Sequence, residues 1–553
     1  MRLQYGKKAD PKLIKSMFDK MDSARGNWKS LWDDCRKYCR PVKGSIYGNN
    51  TPGEDRSSDL YDSTSVVSVE RFASGLYGYM CRHDDQWFRI TSINRKIMES
   101  PECREWFYQV EKIIFKNLCL GSFFQAIHES FLDFGTYGMA MMYIEDSKEY
   151  AVKFKNISIQ NYVIEENADG VIDTVIVKMR MTLKQMVQKF GIERLSEKMQ
   201  KECLKNTADS MEKKYDIYHA VCPRVGRRNS EIGKLNMPFG SVFVEGETNH
   251  VISEGGYESL PYIAGRFIKD PDEVYGRSPA INCLSDIKML NALSCIFLKS
   301  EEKNLNPPML VAHNSIVNKP NFSAGRIIYV RGSVFQDRPV PLQSGRDPNV
   351  GMDMLQRYES KIKEAFYTDM FDYLMGGKYM TTVEVEARKQ TKLFLFAPLL
   401  ARIQKEFLSR IIERCFDIMF RKGLFPEVPE EIKKNPDYEV NFAGRMANAL
   451  KSIEYSAVNN VLMMLAPVMQ YDPNVAKNFD WNEIIRDTGL NQGMPVSYVR
   501  DRDEVKAEIQ AEQEMLMQQH DAQMAQQNAK TAKELNEPVK PGSMLEEVAS
   551  GGE

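Results

Sequence analysis

Apolar residues recur at helical spacing almost from the first residues. Leu13, Ile14, Met17, Phe18 and Met21 follow Asp10-Pro11, a carboxylate N-cap with proline in the first turn. Trp28, Leu31, Trp32 and Cys35 carry the same pattern to Pro41, and the polar, Gly-, Asn- and Pro-rich stretch 44–58 reads as a loop. Asp62-Ser63-Thr64 then caps a helix of small residues reaching about Met80, and further helices are expected near 102–117 and 123–134. Strand patterns take over from Met139. Met139–Ile144 is one, 152–164 contains another, and Asn167-Ala168-Asp169-Gly170 supplies a turn before 171–179. Thr182 caps a short helix that stops at Gly191, and 215–221, 241–245 and 250–253 are further strands. The first half is therefore α+β.

The second half changes character. Residues 279–304 contain no internal Gly or Pro and align Ile281, Leu284, Ile287, Leu290 and Leu298, which predicts a helix of ~39 Å. Asn306-Pro307-Pro308 ends it, and short β-like runs such as Ile327-Ile328-Tyr329-Val330 follow among many turn residues. A second long helix is predicted over 349–374. Two rods therefore bracket a small β-rich insert. After the loop Met375-Gly376-Gly377-Lys378-Tyr379-Met380 comes a longer helical pattern over 382–422, which Pro398 should kink. An Ala-, Leu- and Met-rich helix over 446–465 stops at Pro467. The Gln-, Met- and Glu-rich tail from Val505 reads as helical to about Glu534 and disordered beyond it. No internal repeat appears.

Composition narrows what such a chain does. With 553 residues, 43% apolar and 27% charged, it has the composition of a globular protein and the length to fill several domains. Its net charge of -2 lacks the cation excess by which a DNA-gripping protein releases phosphate counterions. If it meets DNA, it is expected to enclose the duplex rather than cling to it. The 10 cysteines are scattered and read as reduced, mostly buried thiols. No signal-peptide core and no run of about 18 apolar residues is present, so neither a leader nor a membrane contact is expected.

Catalytic patterns are missing. Gly376-Gly377-Lys378 lacks a phosphate cradle, since position 372 is Asp where glycine is needed and Tyr379 stands where a magnesium-holding hydroxyl belongs. Cys35 and Cys39 lie one helical turn apart without a second ligand pair, and His83-Asp84-Asp85 has no partnered spacing. No nucleophile elbow or Ser, His and Asp set stands out. The expectation is no catalytic residue, no metal and no cofactor.

Ordered short motifs point to a family. Asp62-Ser63-Thr64, Phe72-Ala73-Ser74-Gly75-Leu76 and Trp87-Phe88-Arg89-Ile90 resemble the amino-terminal signature of podovirus head-to-tail connector, or portal, proteins. Phe134-Gly135-Thr136-Tyr137-Gly138 looks like the family's turn into its β region. Leu260-Pro261-Tyr262, Arg266 and Val274-Tyr275-Gly276-Arg277-Ser278-Pro279 form the most specific match, leading into Asp286-Ile287-Lys288 and Leu290-Asn291. Thr381-Thr382-Val383-Glu384-Val385, Pro398-Leu399-Leu400, Arg402, Ile411-Ile412-Glu413-Arg414, Gly423-Leu424-Phe425-Pro426 and Ala443-Gly444-Arg445 continue the series.

The resemblance implies an α+β, mainly helical portal fold. Its parts would be a wing over residues 1–278, stem helices over 279–304 and 349–374, a β-rich clip over 305–348 and a tunnel loop over 375–381. A long kinked wing helix and its return would occupy 382–445, a helical crown 446–504, and a tail 505–553. It implies a ring, a dodecamer in the family, at one capsid vertex of the virion, assembled in the host cytoplasm. Double-stranded DNA would pass through it. The terminase motor, major capsid and scaffolding proteins, a tail adaptor and tail proteins would be its partners. In this scheme Met375, Lys378 and Tyr379 would meet DNA, and Arg326, Arg331 and Arg338 would contact the motor or adaptor. The rivals are another virion component (capsid or tail) and a packaging-associated nuclease or ATPase.

Overall fold

The computed structural model describes residues 2–4, 9–41, 45–47, 57–147, 149–205, 207–227, 233–312, 323, 326–330, 340–341, 348–374, 396–434, 436–442, 463–464, 481, 484 and 502–535. The chain divides into two units, 1–458 and 459–553.

The first unit begins with β1 (Leu3–Gln4), α1 (Pro11–Ala24), α2 (Gly26–Cys39) and α3 (Thr64–Met80). The Asp10 carboxylate accepts the Lys12 N–H at the start of α1, and Asp62 does the same for Thr64 before α3. The single helix expected up to Pro41 is broken at Arg25. There the buried guanidinium turns inward and donates to the carbonyl of Ile159 at 2.8 Å, a partner 134 residues away. Next come β2 (Phe88–Ser92), α4 (Arg95–Glu99), α5 (Pro101–Leu120) and α6 (Phe123–Tyr137).

β3 (Met139–Asp146), β4 (Val152–Asn156), β5 (Tyr162–Glu166), β6 (Ile172–Thr182), α7 (Leu183–Phe190), α8 (Glu197–Lys205), α9 (Ala208–Glu212), β7 (Lys214–Val225), β8 (Phe239–Glu245), β9 (Val251–Tyr257) and β10 (Tyr262–Arg266) complete the first half. The stretch 152–164, expected to contain a strand, holds β4 and the start of β5, which lie in two sheets and are separated by a 3-10 turn at Ile159–Asn161. β5-β6-β7-β8-β9 form one antiparallel sheet, with β1 added in parallel to β7. β10-β3-β4 form another. β3 is buried over its first six residues, as expected of a strand covered on both faces. α7 carries a full capping box between Thr182 and Gln185 and stops at Gly191, whose φ is +82°.

The second half holds α10 (Pro279–Asn282), α11 (Leu284–Leu305), β11 (Met309–Ala312), β12 (Ile327–Val330), β13 (Val340–Pro341), α12 (Pro348–Ala365) and α13 (Thr368–Leu374). Both expected rods are therefore interrupted, the first at Cys283 and the second at Tyr367, which has φ +56°. β12-β11-β13 form a three-stranded sheet between them. Residues 396–403 are helical and run through a π turn at Gln404–Leu408 into α14 (Ser409–Arg421). α15 (Glu430–Lys434) and β14 (Tyr438–Phe442) follow, and β14 pairs antiparallel with β2.

α11 and α12 pack on one another as a hairpin. Leu284, Ile287 and Leu290 at the start of α11, Ile362 near the end of α12 and Phe366 just after it are buried in the largest core. They meet α3, α5, α6 and the helix after 396 there. At the other end Gly351 faces the ring of Phe297, and Ile296, Leu298, Leu305, Met352 and Met354 are exposed. The hairpin is thus rooted in the core at one end and carries the small sheet at the other.

In the second unit α16 (Arg502–Leu535) is a helix of 34 residues, in agreement with the tail pattern, and most of its described side chains are exposed. The helix expected over 446–465 lies outside the described residues except for Met463 and Met464, which are helical.

Candidate functional site

Motifs scattered through the sequence meet where the helical hairpin joins the first half of the chain. Gly138 ends α6 in the left-handed region, φ +76°, and a Cβ there would collide with the backbone carbonyl of Arg277. Gly276 answers it from the other side: its Cβ would lie 2.5 Å from the Gly138 oxygen. That oxygen accepts the N–H of Phe267 at 3.0 Å. Ser278 caps α10 by accepting the N–H of Ile281 at 2.9 Å, and its hydroxyl donates to the carbonyl of Thr136 at 2.9 Å. Pro279 in the first turn needs no donor partner. The Phe134–Gly138 and Val274–Pro279 motifs are therefore two halves of one backbone-to-backbone joint.

Charged groups reinforce it. Arg266 is buried and donates to Glu406 of the π turn at 3.0 Å, to Glu166 at the end of β5, and to the carbonyl of Gly170 at 3.2 Å. Three elements that are far apart in sequence are held by one guanidinium whose planar fork suits two carboxylates. Arg277 pairs with Glu273 and Asp270 and lies 5.3 Å over the Trp28 ring. Gly265 lets Phe134 and Phe407 close to within 3 Å of where a side chain would begin.

The amino-terminal signature serves the same end. Phe371 of α13 lies so close to Gly75 that a Cβ there would sit 2.5 Å from its ring, and Phe72 packs edge-on against Phe267 at 5.4 Å. Asn291 of α11 accepts the Tyr61 N–H and donates to the Asp59 carbonyl, tying the approach to α3 onto the hairpin. Trp87 stacks between Phe123 and Phe442, while Glu111 accepts the Ile90 N–H at 2.7 Å and a Gln86 amide hydrogen at 2.9 Å. Burial pushes the Glu111 carboxyl up to about 7.

Of the six residues expected to act, only Arg326 is described. Its side chain is exposed just before β12, and its carbonyl accepts the Met309 N–H of β11 at 3.0 Å, which places it on the small sheet at the hairpin's far end. Arg331, Arg338, Met375, Lys378 and Tyr379 lie outside the described residues. The last three fall between Leu374, which ends α13, and the helical residues from 396. The sequence pattern did not single out Glu166, Glu406 or Glu111. Glu111 is marked only by its burial, and the half-buried Glu166 and Glu406 only by their shared partner Arg266.

The hairpin carries balanced charge. Asp286, Glu301 and Glu302 offset Lys288, Lys299 and Lys303 on α11; Asp353, Glu359 and Glu364 offset Arg357, Lys361 and Lys363 on α12. Burial pushes the Cys222 and Cys283 thiols up to about 11 and about 12, so neither is a thiolate nucleophile at neutral pH. Among the described residues no three His, Cys, Asp or Glu side chains cluster to hold a metal ion, and no helix is long and apolar enough to cross a membrane.

The chain is similar to known phage proteins. The family model described as bacteriophage head to tail connecting protein matches residues 11–499. The chain is 25% identical over 481 residues to the probable portal protein of Bordetella phage BPP-1, covering 85% of each. It is 24% identical over 531 residues to the portal protein of Salmonella phage epsilon15, covering 93% of this chain and 94% of that one.

Proposed function

The chain belongs to the bacteriophage head to tail connecting proteins, and from that premise we propose that its helical hairpin is the stem of a ring through which double-stranded DNA enters and leaves the capsid. As a phage portal, or head-to-tail connector, the protein is a structural component of the virion and not an enzyme. The finer assignments are our reading. α11 and α12 are the stem, the β12-β11-β13 sheet and its connections are the clip, the first half is the wing, and residues 375–381 are the tunnel loop.

One observation carries this reading. The hairpin is rooted in the core but leaves Met289, Ile296 and Leu298 of α11 and Met352 and Met354 of α12 exposed in the single chain. Apolar side chains spaced along projecting rods call for burial, and neighbouring copies arranged about an axis would supply it. The even balance of acid and base on both rods also suits a passage for DNA, since dense phosphate pairing would trap the duplex at each step. Arg326, Arg331 and Arg338, on or near the clip, would then face the terminase motor during packaging in the host cytoplasm and the tail adaptor afterwards. Major capsid and scaffolding proteins would surround the wing.

Electron microscopy of the purified protein tests the proposal directly. Closed rings with a central hole, twelve subunits by family resemblance, are the expected result. A protein that stays monomeric at high concentration and never closes a ring would overturn it.

A further inference from the structure

A corner of the first half, away from the joint, carries oxygen atoms with nothing to bind them. Glu245, the last residue of β8, is fully buried, and among the described residues no donor reaches its Oε1 and no cation pairs with it. Its Oε2 accepts the hydroxyl of Thr248 at 2.5 Å. In the same turn Asn249 adopts the left-handed region at φ +54°, and its buried Oδ1 also lacks a partner. Ser196, which precedes α8, is 6% exposed, and its buried Oγ has no partner either. Two contacts bring these segments together: His250 Nε2 lies 3.1 Å from the carbonyl of Arg194, and Lys198 pairs with Glu247.

We propose that this corner, formed by Glu245, Asn249 and Ser196, binds a calcium ion. A buried carboxylate without a counter-charge is costly, and neutral acceptors beside it add to the deficit. A water molecule could donate to two of the oxygens but would leave the charge uncompensated. A hard cation answers both needs, and the donor set is all oxygen: a carboxylate, an amide carbonyl and a hydroxyl, with water completing the shell. The nearby ammonium groups are already committed. Lys198 serves Glu247 and feels Glu245 only more weakly, and Lys15 donates to the carbonyl of Gly246 at 2.7 Å. The bound ion would fix the β8–β9 turn against α8. This inference does not depend on the portal assignment.

Full-length protein dialysed against EGTA and titrated with calcium chloride in a calorimeter tests it. One ion per chain should bind with a Kd at or below about 1 mM, in the range of structural calcium sites. E245Q should weaken binding at least ~30-fold. E212Q, which neutralises an exposed carboxylate on α9, should stay within ~3-fold of the wild type. Absence of binding by the wild-type protein at 10-fold above that concentration would overturn the proposal, even if E245Q failed to fold. Equal affinity of E245Q and wild type would overturn it too and leave the corner to water.

Discussion

The ring of Tyr367 rests with its centroid 4.7 Å from that of Phe396, although 28 residues separate them in sequence. Tyr367 reaches this position from the left-handed region, φ +56°, a conformation that costs an L-residue with a bulky side chain roughly 1–2 kcal/mol. The same break lets α13 fold back so that Phe371 enters the groove at Gly75. The contact thus fixes both flanks of positions 375–395 to the core.

Two replacements separate strain from packing here. Both Y367A and Y367N lose the ring contact, but asparagine tolerates the left-handed region and alanine does not. Chemical denaturation should therefore find Y367A less stable than Y367N by about 1 kcal/mol. Equal stabilities would mean that the backbone strain is absent in solution.

The joint between α6 and α10 makes a stronger demand. G138A faces both an unfavourable φ and a collision with the Arg277 backbone, so it should lose more than ~3 kcal/mol. G276A, aimed at the Gly138 oxygen, should behave alike. G26A is the control: a Cβ there meets nothing within 4 Å, and stability should be unchanged or rise by up to about 1 kcal/mol. Urea melts of the three variants would rank them.

Glu111 gives the protein a pH dependence of definite sign. Its carboxyl titrates at about 7 in the fold against 4.5 when free, because burial disfavours the charged form. Between those values the folded chain holds a proton that the unfolded chain has lost. The contribution of Glu111 is therefore complete below 4.5 and lost as pH rises through 7, an effect of up to about 3 kcal/mol. E111Q should flatten that part of the stability profile between pH 5 and 8. A wild-type profile with no fall over this window would refute the assignment.

The exposed rod face separates assembly from folding. I296D and L298D change side chains that are 51% and 55% exposed in the single chain, so subunit stability should stay within ~0.5 kcal/mol of the wild type. Ring formation, followed by sedimentation velocity, should fail. Intact rings from the double variant would remove this face from the subunit interface.

The role proposed for residues 375–381 is tested by K378E. Reversing this charge should leave rings intact and impair DNA packaging or genome retention, because a cation that touches passing phosphates becomes a repulsive group. Unaltered packaging and retention would exclude Lys378 from the passage.

Several features follow from the sequence alone because they depend on neighbours along the chain. The Asp10 cap, the Thr182 capping box and the Gly191 stop are local hydrogen-bonding and dihedral choices, so residue identity suffices to place them. The two long helical stretches and the strand run at 327–330 between them are likewise legible, though not their breaks at Cys283 and Tyr367, since periodicity reports which face will be buried and not where a helix turns. The ordered motifs mark the family as well, because motif order is a property of the chain itself.

What tertiary structure alone decided are the places where a distant partner outweighs local preference. The helix break at Arg25 exists because a buried guanidinium reaches the Ile159 carbonyl, and the stretch 152–164 holds parts of two strands because β4 and β5 enter different sheets. β2 finds its partner in β14, with Phe88 opposite Phe442, and Arg266 finds its carboxylates in Glu166 and Glu406. No spacing rule encodes such pairings, because each depends on where the whole chain has brought two remote segments together.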